Sequence, residues 1–154
     1  MKKIILLCLF ISATGFSQNA PIDFETPTSG ADWTWTVFEN DTNPPVEIIA
    51  NPSATGVNTS ATVAQFTALE AGQPYAGTES MHGADIGTFT LDASNSIVKV
   101  MVWKTVISDV GVKFVTASGA SDGELKVSNT VTEEWEELTF DFSSRIGLPA
   151  STDI

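Results

Sequence analysis

Four tryptophans, one tyrosine and one histidine are the side chains with the most distinctive chemistry in this sequence. Trp33 and Trp35 stand two apart in DWTWTVFEN, so a strand puts both indoles on one face. Such a pair is costly core filling, because each buried indole N–H needs an acceptor. Either the two fill the core or one lines an exposed platform. Trp103 lies in IVKVMVWKTV, where Val98, Val100 and Val102 make the better core face. Trp103 then shares the other face with Lys99, where it is open to a ligand or covered by the polar segment 43–66. Tyr75 sits in the Gly/Pro-rich QPYAGTESMHG, ahead of Glu79 and His82. Either it contributes an aromatic plane to a ligand or it seals one end of the fold. Exposed aromatic planes beside hydrogen-bonding groups suit sugar rings, whose flat C–H faces are rimmed by hydroxyls. Trp135 precedes an apolar alternation and reads as core.

Other chemistries find little support. One histidine, without H-x-x-x-H or H-E-x-x-H, does not build a zinc site. Glu133, Glu134, Glu136 and Glu137 flank Trp135 at a strand entrance. A glycosidase needs two carboxylates held across a cleft, and most of these four should point to water. The phosphate loop G-x-x-x-x-G-K is absent. The chain reads as a non-enzyme.

The N-terminus says where such a protein works. Lys2 and Lys3 precede an apolar run from Ile4 to Ile11 that is too short to span a membrane, followed by small residues. This is the pattern of a secretory signal peptide over residues 1–18. Its removal takes with it the one cysteine, Cys8, so the secreted chain has no disulfide and its core must hold it. Losing two lysines shifts the formal charge from −12 to −14. That surface disfavours nucleic acid and anionic membranes, and no second apolar segment inserts the mature chain into a bilayer.

About 135 residues remain, which is one domain with room for a core. Short alternating runs are separated by Pro44-Pro45, Asn51-Pro52, Gly72-Gln73-Pro74, Asp92–Asn95 and Ser118–Gly123. Runs of strand type cover Ile22–Glu25, Trp33–Phe38, Val46–Ala50, Thr59–Leu69, Ile86–Leu91, Ile97–Val106, Val110–Phe114, Glu124–Ser128 and a last strand from Trp135 that puts Leu138, Phe140 and Phe142 on one face. No segment keeps a helical period. The expectation is an all-β sandwich of two antiparallel sheets over residues 20–154. The tail FDFSSRIGLPASTDI reads as a strand, a turn and the start of something more, which leaves open a sandwich short of its final strand.

Three stretches carry a family resemblance: IDFE with DWTWTVFEN, NPSATGVNTSATVAQF followed by YAG, and WEELTFDFS. Together they resemble the carbohydrate-binding-module-like jelly-roll domains secreted by polysaccharide-degrading marine Bacteroidetes, of the kind found beside laminarin-utilisation enzymes. The likeness runs over about residues 20 to 143, most of the mature chain. It implies a jelly-roll-like sandwich, secreted or at the cell surface, that binds a polysaccharide or oligosaccharide, first a neutral β-1,3-glucan, without cleaving it. It also implies partner domains or proteins of a glycan-utilisation system, and a structural calcium with Glu25 as a ligand and Asp141 as a less secure one. The expected glycan contacts are Trp103 and Tyr75, then Trp33, Trp35, Lys99 and Glu79. The rival expectations are a structural or adhesive module spacing a larger secreted protein, and the accessory lobe of a polysaccharide-degrading enzyme.

Overall fold

A computed structural model describes residues 21–27 and 29–154. The leader reading over residues 1–18, including Cys8, lies outside the described residues.

The fold is all-β, with eight strands and one 3-10 turn at Ser143–Arg145 among the described residues. The strands are β1 (Thr36–Phe38), β2 (Glu47–Ala50), β3 (Thr62–Gln65), β4 (Gly77–Glu79), β5 (Ile97–Trp103), β6 (Asp109–Lys113), β7 (Glu124–Ser128) and β8 (Trp135–Asp141). All pairing is antiparallel, in four two-stranded ladders rather than two continuous sheets: β1 with β4, β2 with β3, β5 with β8 and β6 with β7. One pair nests inside another in each half of the chain. This establishes the all-β class and the antiparallel pairing, while the wrapped order of a jelly roll is not traced by these ladders.

The main core lies between the β5–β8 and β6–β7 ladders. Burial alternates along β5, with Val98, Val100 and Val102 turned inward and Ile97, Lys99 and Met101 exposed. Opposite them on β8, Leu138 and Phe140 are buried, and Phe142 continues the face just past the strand. Val110, Val112, Leu125 and Val127 of the second ladder pack against this set, with Phe89 and Phe114 closing one end. The rings of Phe114 and Phe142 lie 4.7 Å apart. Period-two alternation thus becomes one apolar interior layer, which is the dominant favourable term in a disulfide-free β domain.

Two expected strands are replaced. Ile22–Glu25 forms bends, and Ile86–Leu91 forms no named strand. Instead Phe89 exchanges backbone hydrogen bonds with Ile154, and Leu91 N–H donates to the Ser151 carbonyl. Ile154 is thereby buried among Leu91, Phe140 and Phe142. The strand Gly77–Glu79 was not expected; it pairs with Thr36–Phe38.

Buried asparagines pin the long loops. Asn40, fully buried, accepts from Leu69 N–H and donates to the Thr67 carbonyl. Asn129 accepts from Ser108 N–H and donates to the Val106 and Val131 carbonyls. Each amide meets backbone groups that would otherwise be orphaned away from water.

Candidate functional site

The segment between β2 and β3 is shaped by its own side chains. Asn51 Nδ2 donates to the carbonyls of Ser60 (2.8 Å) and Asn58 (3.4 Å), while its Oδ1 accepts from Ser53 N–H at 2.9 Å. Asn58 is buried and accepts from both the N–H and the hydroxyl of Ser60. At the tip, Gly56 adopts φ +68°, a left-handed conformation that glycine takes without Cβ strain. Ser53 and Thr55 hydroxyls hydrogen-bond each other at 3.0 Å. The result is an ordered, hydroxyl-bearing arch.

That arch stands over the β5–β8 ladder, on the side away from the valines. Trp103 and Trp135 are directly opposed cross-strand partners, with ring centroids 5.8 Å apart and planes inclined at 63°. This is the edge-to-face arrangement that aromatic quadrupoles favour. Trp135 Nε1 donates to Asn51 Oδ1 at 3.0 Å, joining the arch to the indole pair. Between them lies a cleft of about 320 Å³ lined by Ser53, Thr55, Gly56, Trp103, Glu133, Glu134 and Trp135. Its volume falls at the small end of the range for ligand sites.

Trp135 is therefore not a core residue. It is half-buried, and its position opposite Trp103 places it on the arch side of the ladder. The local alternation of β8 misled because Trp135 and Leu138 are three apart and so lie on opposite faces of the strand.

The four glutamates around Trp135 divide by what they touch. Glu136 accepts from Thr130 N–H (2.7 Å) and Oγ1 (2.8 Å), and these bonds, the N–H first, hold its carboxyl below the ordinary range. Glu137 pairs with Lys99 Nζ at 2.7 Å on the exposed face. Glu133 and Glu134 face the cleft. Glu133 has φ +56°, and its N–H donates to the Lys104 carbonyl. Lys104 itself turns away: Nζ donates to the Ser108 carbonyl and hydroxyl, and partial burial lowers its pKa.

The other residues singled out by sequence lie elsewhere. Trp33 and Trp35 do share a face, stacked at 5.8 Å with planes 27° apart; both are half-buried. Trp35 Nε1 donates to the Gly30 carbonyl at 2.9 Å, and its ring touches Phe24, which meets the N–H requirement of a buried indole. Tyr75 is 58% exposed in the connection between β3 and β4 and does not line the cleft. Glu79 pairs with His82 Nε2 at 3.0 Å. Lys99 is bound to Glu137 beside the tryptophan pair. Of the expected glycan contacts, Trp103 alone lines the cleft.

The two expected calcium ligands are each engaged. Glu25 accepts from Ala61 N–H, tying the N-terminal segment to the approach to β3. Asp141 accepts from Ser143, which lowers its pKa. No group of three or more His, Cys, Asp or Glu fit to hold a metal occurs among the described residues, so a calcium at Glu25 would draw most of its six to eight oxygens from carbonyls.

Sequence reasoning missed Ser53, Thr55, Gly56, Glu133, Glu134 and Trp135 as a set. The signals were present separately, as a polar turn-rich segment and as EEWEE. Only the pairing of β5 with β8 and the arch across it bring them together. Comparison with known proteins finds no matching family model, no matching curated protein and no matching solved structure.

Proposed function

We propose that this chain is an extracellular, non-catalytic glycan-binding module that takes a neutral glucan, first a β-1,3-glucan such as laminarin, in the Trp103–Trp135 cleft. The observation that carries the reading is the edge-to-face indole pair under a hydroxyl-bearing arch. An indole face stacks on the C–H face of a sugar ring, while Ser53, Thr55 and the two glutamates meet its hydroxyls. The likeness to secreted jelly-roll modules of glycan-utilisation systems supports the same ligand class and a secreted or cell-surface location.

A non-catalytic role fits the placement of the carboxylates. Glu133 and Glu134 are adjacent on one strand entrance, and the facing arch contributes Ser53, Thr55 and Gly56. Paired hydrolytic carboxylates instead flank the scissile bond.

Isothermal titration with laminarin tests the reading. Wild-type protein binds with little salt dependence, and Trp103→Ala loses about thirtyfold in affinity while keeping its thermal transition, as for an aromatic anchor worth ~2 kcal/mol. Absence of binding to laminarin and other neutral glucans would put the spacer or adhesion reading ahead.

A further inference from the structure

We infer that Glu133 and Glu134 make the cleft a charge filter, admitting uncharged glycan segments and rejecting those substituted with sulfate or carboxylate. The inference rests on the glycan-binding reading of the same cleft and adds to it the class of glycan selected.

The basis is how the charges around Trp135 are spent. Glu136 is consumed by Thr130 and Glu137 by Lys99. Glu133 and Glu134 have no ion pair and no side-chain hydrogen bond among the described residues, and both line the cleft. The nearest lysines in sequence on β5 and just beyond it are committed elsewhere, Lys99 to Glu137 and Lys104 to Ser108. No Lys or Arg lines the cleft. Its ionic character is therefore two uncompensated carboxylates beside two indoles. For a neutral sugar this is useful, since a carboxylate is acceptor-only and takes hydrogen bonds from hydroxyls. For an anionic substituent the same oxygens offer repulsion and no donor. Discrimination by an unfavourable group against the wrong ligand is a common source of specificity.

The test compares laminarin with chemically sulfated laminarin, which share one backbone, at low and physiological salt. Wild-type protein should bind laminarin and bind the sulfated form at least tenfold more weakly, with the gap narrowing as salt screens the repulsion. Glu133→Gln with Glu134→Gln should weaken laminarin binding, because the carboxylates accept from its hydroxyls, yet recover at least about threefold in the ratio of sulfated to unsulfated affinity. The pair Glu39→Gln with Glu70→Gln makes the same charge change outside the cleft lining and should recover less. Equal recovery by both pairs would assign the rejection to the protein's overall negative charge and overturn the filter. Equal wild-type affinity for the two glycans would also overturn it, with the glycan-binding reading intact. Failure of wild-type protein to bind laminarin at all would remove both.

Discussion

Asn51 Oδ1 accepts the indole N–H of Trp135 at 3.0 Å, across 84 positions of sequence. The same side chain donates to two carbonyls of its own loop, so one amide orders the arch and docks it on the aromatic pair. Asn51→Ala should destabilise the domain by about 1–3 kcal/mol, because several part-buried polar groups lose a partner. Asn51→Asp keeps the acceptor for Trp135 but turns a carboxylate toward the Ser60 and Asn58 carbonyls. It should retain the Trp135 fluorescence environment better than Ala while still loosening the loop. Denaturant melts with tryptophan emission check both.

Trp135 and Tyr75 should separate in binding. Trp135 lines the cleft and Tyr75 does not. Trp135→Phe keeps an aromatic ring but loses the N–H to Asn51, and should weaken laminarin binding about three- to tenfold. Tyr75→Ala should leave both affinity and melting temperature near wild type, since the ring is largely in water. A large loss of affinity in Tyr75→Ala would move the site to the connection between β3 and β4.

Acid should destabilise the fold through identifiable carboxylates. Hydrogen bonds from Thr130 lower the pKa of Glu136 from its ordinary 4.5, and those from Ser143 lower Asp141 from 3.8. A group whose folded pKa is depressed stabilises the fold above its unfolded pKa and ceases to as pH falls through its folded value. The melting temperature should therefore hold above about pH 5 and fall below about pH 4. Glu136→Gln should shallow that fall, read from thermal melts at pH 7 and pH 3.

The core should tolerate little. Phe142 is 1% exposed and packs against Phe114. Phe142→Ala should cost about 3–5 kcal/mol, a large share of the ~5–15 kcal/mol that holds a typical domain folded. Urea unfolding gives the figure directly.

Calcium is tested by chelation. A structural ion at Glu25 requires that chelator lower the melting temperature, that calcium restore it, and that Glu25→Gln abolish the response. An unchanged melt would leave Glu25 with its hydrogen bond to Ala61 as its whole role.

Sequence alone determined the β class, the turn-rich segmentation and which face of residues 97–103 enters the core. These are local properties: side chains alternate with period two, and Pro, Gly and Asn mark turns wherever the strand ends up. The grouping of Trp33 with Trp35, two apart on one extended run, was legible for the same reason. What local pattern does not carry is which strand lies beside which, and in what register. Trp135 became part of a cleft only because β8 pairs with β5 so that residue 135 opposes residue 103. A shift of one residue would have turned it to the valine side. The role of residues 51–56 likewise depends on an arch folding across a ladder formed far along the chain. Its turns were readable in NPSATG, but its landing place was decided by the hydrogen bond from Trp135 to Asn51.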